Sequence, residues 1–522
     1  MTRQGAGGVV PWFKEVWWET VDGRPLAAMR IATQAVFLYE LLHMLPRHGY
    51  LLQPALPLQG VFVGFWLLCT AMLVVGFGTR GFAALSFACS VVYLSVWGVN
   101  YHVDYYQALI AFYLIFLDSG RNWSLDALIR RGIRGADRSI WHLPVLFFIG
   151  HLGLIYFDAG SSHLLANRSW IEGYAVPQSF LHPQWASNLG WFLANSSLIT
   201  TTANWLTVVF ELTFFPLFLV YLIQRARRRH LLLALGLAGM VMHAGIVLTY
   251  DIGVFGHQVF ATLLVCIPAG FFAMVQNAVR GFFGLGQGPA EGSHLPVSMR
   301  TSSQAHGVWR VVTAGVLSPV LAASLLVQPP PRVVIDKGLL EGWSPVAIEA
   351  LARVYDLGHG LLSLLGDHRP HNVFSERSQG MAFAFETEFH GEDGIIPRRF
   401  LFSADGGREG HTSYIRTYML WYELGQTMGE EYRSEEAFSG ASLRRFESLF
   451  MGLLERDLEM PYLTPARTVR VYYRAWETAK STQDAQPRWG SPRVPLGEVG
   501  ISSEGNELTV VCLPCPPGRE GF

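Results

Sequence analysis

The sequence predicts a polytopic α-helical membrane protein of about nine transmembrane helices, followed by a C-terminal extracytoplasmic α+β domain. Three observations carry that reading: nine apolar stretches between residues 26 and 327, alternating charge in the loops between them, and a proline run after which the pattern changes. The stretches read roughly 26–44, 57–77, 81–99, 104–118, 140–157, 203–223, 231–250, 255–276 and 309–327. Most reach the ~17–25 residues a helix needs to cross the hydrocarbon core. Residues 104–118 are short and take their assignment from context. Lipid offers no backbone partners, so each segment has to satisfy its own, which makes all of them helices.

Residues 1–25 read as an interfacial amphipathic lead-in, with Trp12, Trp17 and Trp18 at headgroup depth and no cleavable signal peptide. Base then gathers in every second loop. Arg3, Lys14 and Arg24 precede the first span, and Arg80 sits after the second. Arg121, Arg130, Arg131, Arg134 and Arg138 separate the fourth and fifth, Arg225 and Arg227 to Arg229 follow the sixth, and Arg280 and Arg300 precede the ninth. The intervening loops hold only Arg47 and Arg168. By the positive-inside rule the amino terminus is cytoplasmic and the C-terminal domain lies outside, and an odd number of spans gives the same result.

Composition agrees with this class. The chain is 51% hydrophobic and 15% charged with a formal net charge of −1, which implies no nucleic-acid surface. Lysine occurs only at positions 14, 337 and 480, a bias that points to a GC-rich, bacterial genome and hence a bacterial inner membrane.

The membrane domain is expected over 26–327. Gln328-Pro329-Pro330-Pro331 stops the last helix and opens a soluble domain over 328–522. Within it, 381–390, 398–404, 467–476 and 507–513 alternate as strands do, and 346–365, 412–428 and 439–457 have helical spacing. Cys69, Cys89 and Cys266 lie within spans as small packing residues. Cys512-Leu513-Pro514-Cys515 reads first as a structural disulfide, with a redox pair or a metal ligand as alternatives.

Polar residues inside spans are costly and tend to mark function. With this topology they gather towards the outer leaflet: Glu40 and His43, then Asn100, His102, Asp104 and Gln107, then His151, Asp158, Ser162 and His163, then Glu211, and last His243, Asp251, His257 and Gln258. Such a set points to a cavity open to the outside, although interfacial His and Asn also serve simply as helix caps. Mid-span Glu211, His151 and His243 resist that plainer reading. No H-E-x-x-H or H-x-x-E-H occurs, so no metal site is predicted.

The stretch Asn100-Tyr101-His102-Val103-Asp104-Tyr105-Tyr106, continuing to Asn122-Trp123-Ser124-Leu125-Asp126, resembles the vitamin K-dependent γ-glutamyl carboxylase family, whose membrane part is the horizontally transferred transmembrane (HTTM) domain. Tyr156-Phe157-Asp158-Ala159-Gly160 with Trp170-Ile171-Glu172-Gly173-Tyr174 is similar to a second family patch, and His243 falls where the family also places a histidine. The resemblance covers about 20–280. It implies a membrane enzyme that uses a reduced quinone (vitamin K or menaquinol type), O2 and CO2 to carboxylate glutamate in an exported peptide or protein, with a lysine between the Ala-Gly and the Trp of the second patch starting the chemistry.

This chain departs there, reading Ser161-Ser162-His163-Leu164-Leu165-Ala166-Asn167-Arg168-Ser169 with no lysine. His163 is the positional substitute, since a neutral imidazole is a general base near pH 7 and Arg168 stays charged. The enzyme reading thus takes His163 or His102 as base, with His243 and Asn100 orienting oxygens. Asn100, Asp104, Tyr105, Asp158, Trp170, Glu172, Tyr174 and Glu211 are expected to line the substrate or quinone site, and Trp170 to Tyr174 with Trp185 and Trp191 to cap it along the outer interface. A non-catalytic maturation or accessory factor for an exported peptide is the competing reading. A small-solute transporter fits less well, because no paired Gly/Pro-broken spans appear.

Overall fold

The computed structural model describes residues 16–47, 58–97, 102–134, 139–166, 168–181, 186–224, 229–250, 252–282 and 304–327, and further on the strands 381–391, 394–400, 466–477, 494–501 and 508–512 with a few single residues between them. Helices occupy all nine apolar stretches, namely α1 (Arg24–Met44), α2 (Gln59–Val75), α3 (Thr79–Val96), α4 (His102–Phe116), α6 (Leu143–Ala166), α10 (Ser197–Gln224), α11 (Arg229–Thr249), the pair α12 (Phe255–Thr262) and α13 (Ala269–Phe282), and α14 (Gln304–Val327). Between them lie the short helices α5 (Leu125–Arg134), α7 (Arg168–Ile171), α8 (Ala175–Phe180) and α9 (Asn188–Ala194).

Among the described residues five helices, α3, α6, α10, α11 and α14, are long and apolar enough to cross a membrane, and the α12–α13 pair makes a sixth if counted as one span. The difference from nine has physical causes. α1 has 21 residues but carries Arg24, Arg30, Gln34 and Glu40, all buried. α2 and α4 have only 17 and 15 residues. The eighth stretch is broken by 104° around Ile267-Pro268, where proline withholds a backbone donor.

α6 is the central helix, buried along most of its length. Three glycines let α10 lie against it. A Cβ on Gly150 would meet the Phe218 ring at 3.2 Å, one on Gly153 the Phe214 ring at 3.1 Å, and one on Gly160 the Glu211 Cβ at 2.9 Å. Contacts descend α10 as they climb α6, so the two helices run antiparallel. Phe148, Ile149, Leu152, Tyr156, Phe214 and Phe218 form the middle of the apolar core.

Two polar staples fix the loops. β1 (Thr20–Asp22) pairs antiparallel with β2 (Ser139–Trp141), Trp141 Nε1 donates to the Trp17 carbonyl at 2.7 Å, and His142 Nδ1 meets Glu19 Oε2 at 2.5 Å. Residues 16–22 of the expected amphipathic lead-in are therefore bound into the fold.

The second staple is the turn between α4 and α5. Arg30, fully buried, donates to the carbonyls of Leu73, Val74 and Trp123, holding Trp123 at φ +45°. Ser124 Oγ accepts from Ala127 N–H at 2.9 Å and opens α5. Asp126 accepts from Gly78 N–H at 2.8 Å and from Thr79 N–H at 3.0 Å, capping α3. Gly76 has to be glycine, because at φ +73° a Cβ there would lie 2.3 Å from Ser124 Cβ.

In the C-terminal segment β3 (Met381–Gly391), β4 (Gly394–Phe400), β5 (Ala466–Glu477), β6 (Val494–Ile501) and β7 (Leu508–Cys512) form one antiparallel sheet in the order β4-β3-β5-β6-β7. β6 was not anticipated, because Pro495, Gly497 and Gly500 interrupt its alternation. β4 starts earlier than the expected 398, since a two-residue connection returns the chain directly from β3. The three stretches of helical spacing and Cys515 lie outside the described residues, apart from single positions.

Candidate functional site

Seven residues, or two turns, separate Tyr156 from His163 on α6, which puts them on one face about 10 Å apart. Asn204 and Glu211 on α10 repeat the same spacing. Because Gly160 admits the α10 backbone, Glu211 reaches His163: Nδ1 donates to Glu211 Oε2 at 2.9 Å, with both residues buried. The His163 ring also stacks on Trp170, centroids 4.0 Å apart and planes 19° apart.

Trp170 in turn is fastened by Asn204, whose Nδ2 donates to the Trp170 carbonyl at 3.1 Å while its Oδ1 accepts from Val176 N–H at 3.4 Å. Gly173 at φ +80° turns the chain between those two points, and Tyr174 N–H closes the turn on the Ser169 carbonyl at 2.9 Å.

A second pair lies along the same face of α6. Tyr156 OH and His243 Nε2 are 2.9 Å apart, enclosed by Phe210 and Phe214 at 5.1 Å from the Tyr156 ring and by Phe255 at 6.2 Å from His243. His243 Nδ1 and Trp170 Nε1 are buried and have no hydrogen-bond partner among the described residues. Buried polar atoms without a partner are costly, and these two lie on residues that touch His163 and Tyr156.

The other expected residues divide clearly. His102 opens α4 with its ring 5.6 Å from that of Phe255, which also lies against His243. Asp104 is fully buried and Tyr105 half-buried on the same helix, while Asp158 is buried on α6. Glu172 is exposed and pairs with Arg168. Trp170 is buried, but Trp191 is only half-buried on α9. Asn100, Trp185 and Asp251 lie outside the described residues.

His151 is a core histidine. Its Nδ1 meets Tyr113 OH at 3.1 Å and its Nε2 meets Ser324 Oγ at 3.2 Å, so both nitrogens serve packing. Gln107 ties α1 to α12, exchanging amide bonds with Gln34 and accepting from Gln258 Nε2 at 3.0 Å.

Tyr156 and Asn204 are the functional candidates that sequence reasoning passed over. The signal was present: each stands seven residues from a residue already singled out. Among the described residues no group of three His, Cys, Asp or Glu side chains has metal-ligating geometry.

No solved structure matches the chain. The family model described as HTTM domain matches residues 26–270, which takes in α1 to α12, the His163–Glu211 pair and the Tyr156–His243 pair. The chain is thus a multi-pass membrane protein whose residues 26–270 match the HTTM domain.

Proposed function

We propose that this protein is a carboxylase-like membrane enzyme in which His163, oriented by Glu211, is the general base that deprotonates a reduced quinone for the modification of an exported peptide. The observation that carries the reading is the His163–Glu211 hydrogen bond at 2.9 Å, standing in the patch where the resembling family has its lysine. An ionised Glu211 accepts the Nδ1 proton, which leaves Nε2 as the basic nitrogen and stabilises the imidazolium formed when that nitrogen takes a proton. Stacking on Trp170 holds the ring plane, and burial keeps competing water away.

The residues fit a quinol. Phe210, Phe214, Phe255 and Trp170 supply an aromatic wall, and His243 Nδ1 and Trp170 Nε1 supply two partnerless buried nitrogens suited to ring oxygens. When bound, a reduced quinone would supply the electrons for O2 reduction, with CO2 as the carbon added to the peptide. His243, tied to Tyr156, orients; His163 moves the proton. Asp104, Tyr105, Asp158 and Tyr174 line the approach in this reading, and Glu172 has a surface role.

The reading carries nine passes, a cytoplasmic amino terminus and an extracytoplasmic domain over 328–522 that holds the peptide, as the charge alternation supports. Oxygen uptake by detergent-purified protein given menaquinol or vitamin K hydroquinone tests it. We expect wild-type uptake to fall about 10²–10⁴-fold in His163→Ala and less steeply in Glu211→Gln. No uptake by well-folded wild type would sink the enzyme.

The missing lysine favours a second reading, a maturation factor that binds an exported peptide without turnover. A deletion strain that exports and processes its peptides normally would rule it out.

A further inference from the structure

The helix α5 is amphipathic in an unusual place. Its inward side is fully used: Ala127 is buried, Ser124 caps it, and Asp126 grips the amides of Gly78 and Thr79. Its other side is bare. Leu125, Leu128 and Ile129, at i, i+3 and i+4, are 42%, 61% and 56% exposed. Arg130 follows, half-exposed and only loosely paired with Asp126 at 3.7 Å, and the helix sequence continues with Arg131 and Arg134.

Position settles what could cover this face. Asp126 N–H donates to the Gly76 carbonyl at 3.0 Å, which places α5 at the level where the apolar helices α2 and α3 turn round. Val75 and Phe77, on either side of that glycine, are also exposed. A helix at the ends of membrane helices lies at headgroup depth, with an apolar stripe for acyl chains and cations for phosphates.

We propose that α5 is an in-plane anchor that binds anionic phospholipid at the bilayer surface, Leu125, Leu128 and Ile129 entering the acyl region and the arginines of the helix drawing the headgroups. This stands independently of the quinol reading. Charge complementarity commits the face to lipid rather than to a protein partner, because the apolar stripe is only one helix turn wide and is followed directly by base.

The test uses the full chain with Cys512 and Cys515 replaced by serine, leaving Cys69, Cys89 and Cys266 buried. A fluorophore is attached at Leu128→Cys, or at Ile129→Cys should the first variant express poorly. The protein is reconstituted in vesicles of phosphatidylcholine with or without phosphatidylglycerol. We expect quenching by shallow nitroxide-labelled lipid and not by aqueous iodide. Nitroxide on phosphatidylglycerol should quench more than nitroxide on phosphatidylcholine, and the preference should fall about five-fold for each arginine changed to glutamine in Arg130→Gln, Arg131→Gln and Arg134→Gln. Quenching by iodide alone would overturn the anchor. Equal quenching by both lipids would overturn the anionic recognition.

Discussion

Two signature patches of this domain carry similar residues and use them in opposite ways. In the turn 122–126, Ser124 and Asp126 serve mainly backbone amides, with Thr79 Oγ1 also donating to Asp126, and the terminal nitrogens of Arg30 grip three carbonyls while its Nε has no partner among the described residues. In the patch 156–174, His163, Glu211, Tyr156 and His243 bond to one another, and two neighbouring buried nitrogens are left without partners. The first patch is arranged for stability. The second spends its side chains on pairing with one another inside the core, which is the arrangement the proposed site needs.

The largest effect that would break this contrast is expected at Arg30. Arg30→Met leaves three buried carbonyls unserved, and about 3–5 kcal/mol should be lost, read as loss of monodisperse protein in detergent. Protein that keeps its melting temperature would show that the turn is not a staple.

Gly160→Val sharpens the other side. The added side chain pushes α10 away at Glu211, and a displacement of about 1 Å should lower oxygen uptake about 10²-fold while the protein still folds. Unchanged uptake would detach Glu211 from function.

Asp126→Ala should cost about 2 kcal/mol through the uncapped Gly78 and Thr79 amides, with uptake per folded molecule unchanged. The smallest change belongs to Trp170→Phe, which keeps a ring against His163 but deletes an unsatisfied N–H. Its stability cost should stay under about 1 kcal/mol while uptake weakens. A cost as large as that of Arg30→Met would make Trp170 a structural residue like the others.

Helices were legible wherever apolar residues ran together, because lipid and core both reward the same pattern. The nine passes read from those stretches reduce to five or six by length and hydropathy of the described helices, because α1 carries buried Arg30, Gln34 and Glu40 and α2 and α4 are short. Glu211 could be singled out as an ionisable group inside a span, and His163 as the residue standing in the patch where the resembling family has its lysine. Their pairing could not, because it depends on Gly160 admitting α10, a fact of packing between helices some fifty positions apart. His151 looked as functional as His243 until Tyr113 and Ser324 were seen to occupy both its nitrogens. In the C-terminal segment, β6 escaped because glycine and proline erase alternation without erasing pairing.

Pro216 lies inside α10, five residues from Glu211. It withholds a rung from the Leu212 carbonyl and so divides the helix into two rods joined by a weakened collar. Glu211 rides about 7.5 Å from that collar, so a bend of about 10° moves it by roughly 1 Å. That is enough to lengthen a 2.9 Å hydrogen bond beyond usefulness. Position 216 is therefore a lever on the His163–Glu211 pair set about one and a half turns away along the same helix.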